Sequence, residues 1–234
     1  MADTTSAHPS SDLPPKRGRG RPRRTEAETE VIRQQIQQAA TQVFAERGYH
    51  GVSVELILQA SGLSRPTFYR YFGNADEVIE LILKEANDRL LVAISESVRQ
   101  AQGPIDKVEA GLLAWRTWGE SIGPLLKAIF AELHDTHSPA YVHRQRVLKL
   151  VGEELNAAAA SLQRPPFDDL QIETFVIGVE YLGFRYHFGP EGPSEAMWER
   201  TRQAMVRLAV GLLGGPQEWA HATQLAEVMR VTLR

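Results

Sequence analysis

The stretch Gly62-Leu63-Ser64-Arg65-Pro66-Thr67-Phe68-Tyr69-Arg70-Tyr71-Phe72 says more about this 234-residue chain than any other. It reads as a three-residue turn followed by a short helix. Phe68 and Phe72 are four apart, so they share one helical face and can anchor it in a core. Arg65, Tyr69 and Arg70 are left to reach outward. Ser64 can cap the helix, and Pro66 lies in its first turn, where a missing N–H costs little. A short helix that offers Arg, Thr and Tyr from its first two turns suits the major groove of DNA.

Helix signals extend in both directions. Upstream, Thr25 with Glu28 forms a capping box, and Ile32, Ile36, Ala39, Val43 and Phe44 form a helical apolar stripe that Gly48 ends. Ser53 can cap a second helix to about Ser61, with Val54 and Ile57 facing inward. Downstream, Asn74 with Glu77 starts a long fourth helix reaching about Gln100. Further helices are predicted over 104–120, 124–135, 139–163, 167–188, 195–213 and 217–232. Pro104, Pro124, Pro139 and Pro216 sit near their starts, and Gly103, Gly123, Gly189 and Gly214 mark breaks. Alternating strand patterns are nearly absent, so the expected fold is all-α. Three parts are expected: a basic arm over 1–24, a three-helix head with a helix-turn-helix over 25–74, and a larger helical body over 75–234.

Charge follows this division. The net charge is −3, yet residues 1–24 hold six Lys/Arg against Asp3 and Asp12, a local charge of +4. Residues 25–75 carry −1 and residues 76–234 carry −6. An acidic body with one basic end suits a protein that meets a polyanion at that end only. The arm is rich in Ser, Pro, Gly and Arg and too polar to bury a core, so it is expected to be disordered when free. With no Cys, disulfides, thiolate metal ligands and cysteine redox sensing are excluded. No apolar signal segment and no run of about 18 uncharged apolar residues occurs, so a cytoplasmic protein with no membrane partner is expected.

Gly48-Tyr49, Ser53-Val54, Gly62-Leu63-Ser64 and Thr67 to Phe72 resemble the signature of the tetracycline-repressor (TetR) family of bacterial transcription regulators over about residues 28–80. The resemblance implies a homodimer with two reading heads on a palindromic double-stranded operator, and an effector pocket in each body. It places DNA contacts on Ser53, Ser64, Arg65, Pro66, Thr67, Tyr69, Arg70 and Tyr71. Chemistry agrees: Arg65 can pair with guanine O6/N7, Pro66 and Thr67 can touch a thymine methyl, and Tyr69 and Tyr71 can donate to phosphates. Two positions depart from the pattern. Ala75 stands where the family usually has Lys, which removes one phosphate contact. Leu58 stands where a small residue is usual, which alters the crossing of helices two and three. In the arm, Arg19-Gly20-Arg21-Pro22 resembles the AT-hook, so Arg19 and Arg21 are candidates for a narrow A·T-rich minor groove.

In the body, residues 167–188 and 195–213 are apolar around more than one face. One face can pack inward; the other fits a homodimer interface of two helices from each chain. Trp115, Trp118, Phe130, Tyr141, Phe175 and Tyr181 are candidates to line a pocket for a small, mostly apolar, planar or acyl-type effector. His134, Asp135, His137 and His143 form the only metal-like cluster, but they sit at a helix end where His is favoured by the dipole. No metal and no cofactor is therefore expected. No nucleophile elbow, phosphate loop or zinc-hydrolase motif is present, so an enzyme using His134 or His187 is disfavoured. The reading is a ligand-responsive transcription regulator, a repressor released by its effector. An architectural DNA-binding protein without effector is the alternative.

Overall fold

The computed structural model describes residues 25–215; the basic arm with Arg19 and Arg21, and the helix expected over 217–232, lie outside them. The described chain is helical, with no strand among the described residues. Helix α1 (Glu26–Arg47) starts on the Thr25/Glu28 capping box, each partner satisfying the other's backbone N–H. Ile36, Ala39, Ala40, Val43 and Phe44 are buried along it, and Gly48, at φ 70°, ends it where an L-residue would be strained. A one-turn 3-10 helix (Tyr49–Gly51) leads to α2 (Val54–Ser61), whose cap is Ser53 Oγ accepting from Leu56 N–H at 3.3 Å. Val54 and Ile57 are buried as the spacing required.

After the left-handed Gly62 the chain enters α3 (Arg65–Phe68). This helix is a single α-turn continued by looser turns to Phe72, shorter than the sequence suggests. The Ser64 hydroxyl lies 2.9 Å from the Thr67 hydroxyl and makes no capping bond to the backbone, contrary to expectation. The two phenylalanine anchors are as expected, Phe68 fully buried and Phe72 nearly so. Leu58 is partly buried against the same core, so the crossing accommodates it.

Helix α4 (Ala75–Gln100) is capped by Asn74 Oδ1, which accepts from Glu77 N–H, while the Glu77 carboxylate accepts from Gly73 N–H. Its 26 residues would extend about 39 Å at 1.5 Å per residue. Then follow α5 (Pro104–Ile122), α6 (Pro124–Glu132), α7 (Pro139–Ser161), α8 (Asp169–Phe188) and α9 (Glu195–Leu213). Proline opens α5, α6 and α7, where its fixed φ and absent N–H fit. Helix α6 stops at Glu132, three residues earlier than expected, and α8 starts at Asp169 on a capping box of Asp168 and Gln171.

Two hydrophobic clusters result. The first joins α1, α2, Phe68 and Phe72 to Val78, Ile79, Ile82 and Leu83 of α4 and to α6. The second joins Ala86 and Leu90 of α4 to α5, α8 and α9. The head therefore does not end at a linker: α1 packs on both α4 and α6.

Candidate nucleic-acid interface and ligand cavity

The head presents Ser64, Arg65, Pro66, Tyr69 and Arg70 as exposed side chains on one surface, with Tyr69 48% accessible although aromatic. Phe68 places them: its ring is buried, and the Tyr69 ring stands edge-on to it with centroids 5.5 Å apart. Ser53 and Thr67 are partly buried, one as the α2 cap and the other as partner of Ser64. Tyr71 is also partly buried and packs on the first core, leaving less of it free than of Tyr69. Sequence reasoning missed Glu55. Its carboxylate pairs with the Arg65 guanidinium across the α2–α3 turn. The hydrogen bond from its own backbone N–H, and next the guanidinium, holds that carboxyl below its usual range. The Arg65 guanidinium is thus held in place by an acidic neighbour on α2.

Polar contacts join head and body. Tyr49 N–H donates to Glu132 Oε1 at 3.0 Å, Tyr49 Oη donates to Asp76 Oδ1 at 3.1 Å, and His50 Nε2 lies 2.6 Å from Asp135 Oδ2. His143 Nε2 lies 3.0 Å from Glu80 Oε1. His143 is therefore engaged with α4 rather than with His134, Asp135 and His137, and the four-residue cluster read from spacing does not assemble.

The body holds a cavity of about 290 Å³ between α4, α5, α6, α7, α8 and α9. Its walls are mostly Leu, Ile, Val, Trp and Phe side chains. Four of the six aromatic candidates line it: Trp115, Trp118, Phe130 and Phe175. Tyr141 and Tyr181 do not. Tyr181 is 59% exposed on the far side of α8, and Tyr141 lies outside the lining although partly buried. The walls are fixed by close approach. Trp118 Nε1 donates to Ala86 O of α4 at 2.8 Å, and the Trp115 ring lies so close to Gly183 that a Cβ there would stand 1.8 Å from it.

Two polar features of the cavity were not legible in the sequence. Arg144, 4% exposed, donates from Nε and a terminal nitrogen to the Glu180 carboxylate at 3.1–3.2 Å, and both residues line the wall. Burial raises the Glu180 carboxyl above its usual range against the pull of Arg144. The lining residues Pro104, Glu154 and Leu162 are exposed, while Lys107 and Arg164 line the wall partly buried, Arg164 donating to Leu213 O at 2.6 Å.

Residues 36–82 match the family model described as bacterial regulatory proteins, tetR family. That segment runs from the middle of α1 through α2 and α3 to the first turns of α4, most of the head whose geometry is given above. Residues 36–82 thus carry a segment of the tetR-family type. Among similar proteins, the HTH-type transcriptional activator FasR of Mycolicibacterium smegmatis is 28% identical over 83 residues, 36% of this chain and 38% of that protein. The fatty acid metabolism regulator protein of Bacillus subtilis is 32% identical over 66 residues, 28% of this chain and 34% of that one. The chain thus spans little more than a third of the curated relatives it matches. Solved structures extend the likeness of fold. FadR from Bacillus subtilis, in complex with stearoyl-CoA, superposes with a TM-score of 0.63 at 17% identity, covering 76% of this chain and 98% of that one. A transcriptional regulator from Pseudomonas aeruginosa gives 0.65 at 15% identity, covering 80% and 92%. Among the described residues, no helix is long and apolar enough to cross a membrane.

Proposed function

We propose that this protein is a cytoplasmic, dimeric transcription repressor that leaves its operator when an amphipathic acyl-type molecule enters the body. One observation carries the reading. The helix that walls the apolar cavity with Asn87, Leu90, Leu91 and Ile94 is the same helix that begins directly after the reading turn. The two heads of a dimer must sit about 34–36 Å apart, or a multiple of that, to enter successive major grooves. A ligand that prefers a cavity shape with the heads spread shifts the population away from that spacing. DNA contacts are assigned to Ser53, Ser64, Arg65, Pro66, Thr67, Tyr69, Arg70 and Tyr71, with Arg19 and Arg21 of the arm in the minor groove.

The effector class follows from the cavity. Its walls accept a flexible hydrocarbon, and the partly buried lining cation Lys107 suits an anionic headgroup, with Arg164, which also bonds Leu213 O, as a second cation and Glu154 as the opposing charge. FadR, a neighbour in fold, was solved with stearoyl-CoA, which has this character. The test is selection of bound duplexes from random DNA, then titration of the recovered site with stearoyl-CoA. A palindromic site is expected, and saturating ligand should weaken binding tenfold or more, about 1.4 kcal/mol. Absence of sequence preference overturns the reading. A preference that no acyl ligand alters leaves the architectural alternative.

The dimer face is assigned to α8 with α9. Leu170, Ile177, Tyr181 and Phe184 recur at helical spacing and are all exposed, forming an apolar stripe opposite the cavity-lining Phe175, Val176 and Val179. Ile177→Glu with Tyr181→Glu is expected to give a monomer in sedimentation equilibrium with unchanged helicity. A dimer that survives both charges would place the interface elsewhere.

A further inference from the structure

The polar joint between head and body contains a set of donors that the proposed function does not use. His50 of the 3-10 turn, Glu132 at the end of α6 and Asp135 just beyond it bring an imidazole nitrogen and two carboxylates within 4.8 Å of one another. His50 is 85 residues from Asp135 in sequence, so packing of α1 on α6 creates the grouping.

We propose that His50, Glu132 and Asp135 form a divalent-cation site, suited to zinc, that clamps the reading head to the body. The donor set is one imidazole and two carboxylates, both donor types that zinc takes, and three protein ligands leave its fourth tetrahedral position to water. Bonds of about 2.0–2.2 Å set tetrahedral donors roughly 3.4 Å apart, so small side-chain movements close the site. The donors are held from behind. Glu132 is 8% exposed and accepts Tyr49 N–H through Oε1, and no hydrogen bond to its Oε2 is found among the described residues. Gly48 leaves room for it: a Cβ there would stand 3.1 Å from Oε1. Asp135 Oδ1 accepts His137 N–H at 2.9 Å, which turns Oδ2 toward His50. Supporting hydrogen bonds of this kind orient ligands. With no Cys in the chain, no thiolate competes for the ion. Binding replaces the proton shared between His50 and Asp135, which leaves to solvent, and ties a residue of the head to two of the body. The ion would therefore hold the head in one orientation.

Zinc binding does not rest on the regulatory reading; only its effect on DNA does. Full-length protein stripped by chelator is titrated with Zn²⁺ against a chromogenic competitor, alongside His50→Gln, Asp135→Asn and His134→Gln. The wild type should bind one equivalent. The first two variants should lose tenfold or more in affinity, while His134→Gln, exposed and outside the donor set, should match the wild type. All should keep wild-type circular dichroism, because the His50 side chain is 66% exposed and Asn can still accept from His137 N–H. No stoichiometric binding, or equal affinity of His50→Gln and wild type, overturns the site. Operator affinity with zinc and with EDTA is then compared. A difference in wild type that vanishes in His50→Gln supports the clamp, and equal affinities overturn it while leaving the operator reading intact.

Discussion

Phe68→Ala is expected to destabilise the protein by about 3–5 kcal/mol, near the upper end for a single truncation. Three observations set the size. The side chain is fully buried, it meets Phe72 at a ring separation of 6.0 Å, and it shares a core with Ile36, Phe44, Ile57, Val78 and Leu83. Its helix has one α-turn, too short to persist by its own backbone bonds, so the buried face is what holds it. The cavity left behind is walled by α1, α2 and α4, all anchored elsewhere, and cannot easily collapse. Urea unfolding of the two proteins measures the difference. A loss under about 1 kcal/mol would mean that the reading helix is held by something other than its aromatic face.

Arg65→Ala combined with Tyr69→Ala, two exposed side chains beside the same turn, should do the reverse. Both side chains are exposed, and the Arg65–Glu55 pair is a surface ion pair. Stability should therefore move by no more than about 0.5–1 kcal/mol. Affinity for the selected operator should fall about a hundredfold, since a bidentate Arg–guanine contact alone discriminates by about 1–3 kcal/mol and a phosphate contact is lost with it. Binding to unrelated duplex should change far less, because attraction to the phosphate backbone is independent of sequence. Filter binding at fixed salt with operator and scrambled duplex reads the ratio. An unchanged ratio in a folded double variant would remove α3 as the reading element.

These two residue sets were separable by spacing alone, which is why the head was so readable. Helix caps at Thr25, Ser53 and Asn74 act through neighbours three residues away, and Phe68 and Phe72 are one turn apart. Local chemistry of that range is written in order along the chain. The body was legible only as a set of helices. Helix α8 is apolar nearly all round, so its sequence could not say which face turns inward; Phe175 lines the cavity and Tyr181, six residues on, faces solvent. That azimuth is set by Leu208 against Gly178 and Trp115 against Gly183, contacts made across sequence gaps of 30 and more residues. The Arg144–Glu180 pair was hidden for the same reason, since each residue alone resembles a solvated charge. His50 was invisible as a ligand because its partners lie 82 and 85 positions away.

The passage of α4 between the two cores has a mechanical meaning. Leu83 is fully enclosed by the first core and Ala86, less than one turn later, by the second, with unbroken helix between them. No slack joint separates the place where a guest would press from the place where the grip is aimed. A push at Leu90 cannot be absorbed by a loosened segment; it reaches the far end as a change of angle. Such a beam transmits direction faithfully and damps little, so the protein would report on the shape of its guest more than on mere occupancy.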